Sequence, residues 1–417
     1  MDATEFQRLL RNGLGRAILY VRDHDVREFR DIILNACLHS PAYDVQLEGS
    51  RAAYMHELVA LLPDRDFFQS EVVRALAHGG DDQDAFYRLE FAAHLASERD
   101  DVKRTMYEAF GPGPNYGEMA GVLLLQLDGM PGFLFAAARI GARHDGYLLS
   151  QACQALGEDA TWTALQEAAV SNPDIEAFRA VAWERRLRDH ERQPRRNPSV
   201  ATLRYPEILE EEKSPTRLMK WAEQASDEEI ELAAEGLRLA ATGDPARLLA
   251  HLRIFRERRY PRPDIAPLLL KLAESDDSQI AIAALSALGN VTDPAVRSLA
   301  LRMMDTGSEL RGHAADLLAS NFEPGDHDLV LLWFVSEQDA DVRHDLGFDL
   351  PAFWDRHPDE ATRIRMLLAL YEYGPCSLCR EGAVRRLLES KALPDAVREE
   401  CAWDSSEEIR ELLGGGS

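Results

Sequence analysis

The 417-residue sequence predicts an all-α fold: an α-α superhelix of stacked helix pairs in the C-terminal half, preceded by a less regular helical domain. Three observations predict it. Stretches that alternate with the strand period of two are almost absent, while apolar residues recur at helical spacing along the whole chain. Gly, Pro and Asp turns punctuate that pattern every 12 to 20 residues. The C-terminal half repeats one phrase: a short acidic turn and an aliphatic residue, often followed by Arg. A small or apolar residue follows four positions on, and another apolar residue eight positions on.

The N-terminal portion opens with helical segments FQRLLRNGLGRAILYVR, REFRDIILNACL, RAAYMHELVALL and DFFQSEVVRALA, joined by irregular loops. Its most apolar stretch, Met119 to Ala142, is broken by Asp128, Gly129, Pro131 and Gly132. A membrane span needs about 20 unbroken apolar residues, so two buried helices around a turn are expected and no membrane partner. GPGPNYG (111–117) has no preceding strand and no Lys, and reads as a rigid turn rather than a phosphate loop. His190 to Pro215 is rich in Pro, Arg and Glu and reads as a linker. The expected organisation is an N-terminal helical domain over 1–189, a linker over 190–215 and a repeat array over 216–413. The final GGGS, 414–417, reads as an appended linker.

The repeated phrase appears as SDDSQIAIAALSALG (Ile280, Ala284, Leu288) and as TGSELRGHAADLLA (Leu310, Arg311, Ala314, Leu318). It returns as DADVRHDLGFDL (Val342, Arg343, Leu346, Leu350), as SLCREGAVRRLL (Cys379, Arg380, Ala383, Leu387) and as SSEEIRELL (Ile409, Arg410, Leu413). Anchor-to-anchor intervals are 30, 32, 37 and 30 residues. A second amphipathic segment lies between successive anchors, as in AVRSLALRMMD and HDLVLLWFVSE. Apolar residues at i, i+4 and i+8 make a face that one helix pair cannot cover alone, and stacking covers it. Two helices per 30 to 40 residues, one bearing D-x-VR-x-x-A, resembles the HEAT-like, armadillo-type repeat family. The resemblance implies a solenoid and a non-enzymatic scaffold or adaptor that holds a protein partner. It also admits enzymes built on the same scaffold, a DNA-glycosylase-like protein or a bilin lyase, and a nucleic-acid-binding regulator.

Hydrophobic residues make up 46% of the chain and charged residues 29%, enough apolar content for a substantial core. The net charge of −25 disfavours nucleic acid as a partner, since binding phosphate backbones leaves a basic footprint. Five scattered cysteines and the lack of a signal-peptide pattern lead to the expectation of a reducing, cytoplasmic setting.

Candidate chemistry is sparse. CSLC, with Cys376 and Cys379, lacks the further pair a structural zinc needs, so no metal and no cofactor is expected. Cys379 reads instead as the buried anchor of its repeat. The loop HSPAYDVQLEGSR gathers His39, Tyr43, Asp44, Glu48 and Arg51, which are able to supply a base, an acid and an anion-binding guanidinium. The plainer reading has Asp44 and Ser50 capping turns while Glu48 and Arg51 pair across the loop. Two basic clusters stand out. One holds Arg192, Arg195 and Arg196, following Arg185, Arg186 and Trp183. The other holds Arg253, Arg256, Arg258, Arg259 and Arg262. Arginines interleaved with aromatics suit phosphates or acidic peptides, and solvated loops are the plainer alternative.

Overall fold

The acidic turns of the repeated phrase are helix N-caps. The Asp277 carboxylate accepts hydrogen bonds from the amides of Gln279 and Ile280. Asp339 does the same for Asp341 and Val342, and Asp359 for Thr362. Ser226 and Glu229 form a reciprocal capping box at the start of Asp227–Ala240. Each such cap contributes about 1 kcal/mol, and the negative charge sits at the positive end of the helix dipole. Asp277, Asp339 and Asp359 stand before their helices for that reason.

The computed structural model describes the chain except residues 78–82, 98, 111–116, 144–145, 192–199, 201–202, 212–213, 258–263, 306–308 and 415–417. Six of the basic-cluster arginines (Arg192, Arg195, Arg196, Arg258, Arg259, Arg262) and all but the last residue of the expected GPGPNYG turn lie outside the described residues. The fold is all-α. Helix accounts for 78% of the structure, in 27 α-helices among the described residues, and no strand occurs among them. Among the described residues no helix is long and apolar enough to cross a membrane.

Two compact units emerge. The first comprises Met1–Arg195, Cys376–Glu381 and Leu393–Ser417, and the second comprises Arg196–Pro375 and Gly382–Ala392. The division near residue 195 falls inside the segment read as a linker. The C-terminal stretch, however, belongs to the first unit rather than to the array in which the sequence analysis set it. The cause is visible at the start of the chain. Gly13 has φ +67° and its carbonyl accepts from the Ser405 amide at 2.9 Å. Any Cβ there would overlap Ser405 Oγ, at 1.9 Å, so only glycine admits this approach. Arg16 forks onto Glu400 at 2.8 and 3.1 Å, and Arg410 reaches Glu57 at 3.4 Å.

The second unit is built of neighbouring helix pairs in a solenoid-like arrangement. Helices Pro245–Glu257, Ser278–Leu288, Ala314–Ser320 and Ala340–Arg356 contact one another in turn and form one row. Ala266–Ala273, Pro294–Asp305 and Asp326–Ser336 each pack onto a member of that row. Leu288, Leu318, Leu350 and Leu387 are wholly buried, as the repeat phase requires. Arginines brace consecutive pairs: Arg297 holds Asp326 at 2.6 and 2.9 Å, and Arg311 holds Glu337 at 2.9 Å through two parallel bonds. The Arg311 guanidinium, with the amides of Gln338 and Asp339, lowers the Glu337 carboxyl to about 2. One anchor differs from expectation. In the helix Ser377–Glu389 the buried face carries Arg380, Ala383, Val384 and Leu387, while Cys379 is only half-buried. The register is set by a buried ion pair rather than by an apolar anchor.

Candidate functional site

On the row of helices in the second unit, a polar stripe lies beside the apolar one. Along Ala340–Arg356, Asp345, Asp349, Ala352 and Arg356 follow at spacings of four, three and four, one face of an α-helix. His313, Asp316 and Ser320 supply the neighbouring stripe. Ile282, Ser286 and Gly289 supply the one before it.

Two glycines let these stripes close up. A Cβ on Gly289 would stand 2.0 Å from Asp316 Oδ2, so the carboxylate lies against the bare backbone there. The Ser320 hydroxyl donates to the Gly289 carbonyl. A Cβ on Gly312 would meet Asp345 Cβ at 2.9 Å. Arg356 Nη1 donates to Asp316 Oδ1 at 3.2 Å and to Ser320 Oγ at 3.4 Å. Asn290 Nδ2 donates to the carbonyls of Phe255 (3.3 Å) and Arg256 (2.6 Å), fixing the helix end that bears Arg256.

A cleft of about 690 Å³ opens beside this group, lined by Asn290, Thr292, Ser320, Asp355, Arg356 and His357. Its back wall is rigid. His357 Nε2 donates to the Ala319 carbonyl at 2.6 Å, and its ring stacks on Phe322 with centroids 4.1 Å apart. Phe348 projects next to the carboxylates and is 73% exposed.

Electrostatics distinguish the cluster. Burial pushes the Asp349 carboxyl up to about 7, helped by the negative charges of Asp316 and Asp345 and opposed by Arg356 and Arg256. Burial likewise lowers the His313 imidazole, against the pull of Asp345 and Asp316. Near neutral pH Asp349 is therefore partly protonated, and Arg356 and Arg256 answer part of the charge of Asp316 and Asp345.

A pH prediction follows from Asp349. Its folded-state value lies above the ordinary 3.8, so the folded chain holds a proton that the unfolded chain has released. Stability should therefore fall as pH rises from about 4 to about 7, and level off above. Asp349→Asn is expected to match the wild type at pH 4 and to exceed it by ~1–2 kcal/mol at pH 8, a figure discounted for partial solvent screening. Urea melts of both proteins across that range test it. Parallel pH profiles would refute the assignment.

The residues singled out from the sequence fall elsewhere, with one exception. Arg256 is exposed and acts electrostatically on Asp349 and His313, while Arg253 is half-buried on the same helix. In the first unit, exposed His39 pairs through Nδ1 with Asp84 at 2.7 Å, and Tyr43 is half-buried. Asp44 caps the short helix Val45–Glu48, and the Ala52 amide donates to Ser50 Oγ at 3.3 Å. Arg51 is not an anion receptor. Its guanidinium is buried, donates to the carbonyls of Leu10 and Arg11, and pairs with Glu48 at 2.9 Å. Glu48 further accepts from the amides of Asp44 (2.8 Å) and Ser377 (3.0 Å). The plainer reading of this loop, caps and an internal pair, matches these contacts.

All five cysteines are free thiols. Cys379 hydrogen-bonds Cys376, and that bond together with burial pushes its thiol well above the ordinary range. Sequence reasoning missed Asp316, Asp345 and Asp349. The signal was there in DLGFDL, whose two aspartates stand at i and i+4, but attention fell on the leucines between them.

Fold and site together define an all-α protein of paired helices with a polar cleft on one helix row. No family model matches the chain, and no curated protein matches it. Among solved structures, an engineered protein from a structural genomics consortium aligns over 100% of this chain and 95% of its own, at 14% identity and a TM-score of 0.19. A likeness that slight carries no argument.

Proposed function

We propose that the chain is a non-enzymatic, HEAT-like scaffold or adaptor that holds a basic protein segment on the helix row of its second unit. One observation carries the reading: the carboxylates Asp316, Asp345 and Asp349 gather beside the exposed Phe348 and an open cleft. A segment with alternating Lys or Arg and apolar residues meets both features, charge to the aspartates and an aliphatic side chain to Phe348. The overall charge of −25 favours the same partner at long range. The five free thiols support a cytoplasmic setting.

Fluorescence anisotropy with a labelled Lys/Leu-alternating peptide tests the reading. Micromolar binding is expected at about 50 mM salt, weakening as screening grows. The double variant Asp345→Asn/Asp349→Asn should lower affinity ~10-fold, about the value of one charge-assisted contact. The alternative, a DNA-glycosylase-like enzyme or nucleic-acid-binding regulator, rests on the basic clusters. Submicromolar binding of DNA or RNA in a gel shift, removed by reversing Arg256, Arg258 and Arg259 to Glu, would overturn the scaffold reading in its favour.

A further inference from the structure

The first unit carries a second cavity, and its chemistry is opposite in sign. Helices Tyr147–Leu156, Glu158–Ala169 and Pro173–Glu191 border an open space of about 520 Å³. Leu149, Ser150, Cys153, Trp162, Arg185 and Arg186 line it. Cavities of this size suit a compact small molecule, within the usual range of roughly 300–1,000 Å³.

The Trp162 indole forms one wall, together with Glu158, and Trp183 abuts it. Trp162 and Trp183 meet edge to face, with centroids 5.7 Å apart and planes at 85°. Trp183 is nonetheless 47% exposed. The Arg186 guanidinium lies 5.5 Å from the Trp162 centroid and 5.9 Å from that of Trp183, and pairs with Glu158 at 2.8 Å. Its charge is thus already answered.

Arg185 differs. A Cβ on Gly146 would stand 2.9 Å from Arg185 Nη1, so the guanidinium rests on the bare backbone at the start of Tyr147–Leu156. Gly146 has φ +97°, a conformation that also favours glycine. Among the described residues no carboxylate pairs with Arg185. Burial and the nearby Glu158 keep the Cys153 thiol protonated, so it lines the space as an apolar group and not as a nucleophile. The cavity therefore combines a guanidinium with which no carboxylate pairs among the described residues, the Trp162 indole and an aliphatic floor at Leu149.

We propose that this cavity binds a small aromatic anion, its planar ring against Trp162 and its phosphate or carboxylate on Arg185. A cation is disfavoured by two guanidiniums against one carboxylate. A bare inorganic anion leaves the indole wall unused, and a neutral ring leaves Arg185 unanswered. Stacking on an indole and a charge-assisted contact each contribute on the order of tenfold or more in affinity, and only a ligand with both parts collects both.

Isothermal titration of the full chain with 1-naphthyl phosphate and with 1-naphthoate decides it, with inorganic phosphate and 1-naphthol as controls. At least one aryl anion is expected to bind below about 1 mM, and each control at least ~10-fold more weakly. Binding of the phosphate ester alone, or of the carboxylate alone, identifies the anionic group. Arg185→Gln and Trp162→Ala should each weaken binding by ~10-fold or more, while Arg185→Lys, which keeps the charge, retains most of it. Trp162 is only half-buried, so its variant serves even if Arg185→Gln unfolds early. No aryl-anion binding below about 5 mM, or binding that all three variants leave unchanged, overturns the proposal.

Discussion

Asp404→Ala is expected to destabilise the protein by about 3–5 kcal/mol, the cost of stranding a buried charge by removing its partner. Asp404 and Arg380 are both 0% exposed and meet at 2.8 Å. Asp404 Oδ1 also accepts from the Ser406 amide at 3.0 Å, just before the terminal helix Glu407–Leu412. Burial pushes the Asp404 carboxyl up even though Arg380 and Arg51 pull it down. Desolvation thus outweighs pairing, and the pair itself contributes little net stability. Its loss is a different matter, because Arg380 would then be charged and buried without the carboxylate it meets. Arg380→Met should be comparably damaging, and Arg380→Met with Asp404→Leu should recover most of the loss. Urea denaturation followed by circular dichroism measures all three. An Asp404→Ala variant within 1 kcal/mol of the wild type would show that the pair is hydrated and peripheral.

That pair also marks the limit of what the sequence made legible. Local physics was readable. The acidic turns of the repeated phrase mark helix starts, and Asp277 and Asp339 cap them through partners two or three residues away. The apolar period predicted Leu288, Leu318, Leu350 and Leu387 as core. Even Glu48 and Arg51, three residues apart, were read as an internal pair. What failed was non-local. Arg16 and Glu400 are 384 residues apart, and nothing in either helix announces the other. The C-terminal segment looked like one more repeat because its apolar period is the same, and period does not say which neighbour covers the face. Arg380 reads in the sequence only as the arginine of its repeat, because its carboxylate lies 24 residues downstream. The acidic cluster is illegible for a similar reason: Asp316 and Asp345 bear on Asp349 from different turns and helices, and their charges add to the burial that raises it.

Leu350→Ala is expected to cost ~2–5 kcal/mol, and toward the upper end, whereas Phe348→Ala two residues away should cost no more than ~0.5. Leu350 is wholly buried and Phe348 is 73% exposed, although both are large apolar residues of one helix. The surroundings of Leu350 have little room to relax into a cavity. One turn earlier, a Cβ on Gly347 would already press Leu370 Cδ1 at 3.0 Å and Phe334 Cε2 at 3.2 Å. The helix also runs through Pro351, which has no amide to donate to the Gly347 carbonyl. A proline inside a helix costs about 3 kcal/mol, and burial of Leu346, Leu350, Phe353 and Trp354 around it is what offsets that cost. Truncating Leu350 removes packing where the backbone is least able to hold itself. Phe348→Ala should instead leave the melting temperature nearly unchanged and weaken binding of the basic peptide. The two variants together test the helix register. If Phe348→Ala proves the more destabilising, the helix is rotated, and Asp345 and Asp349 do not lie on the face assigned to them.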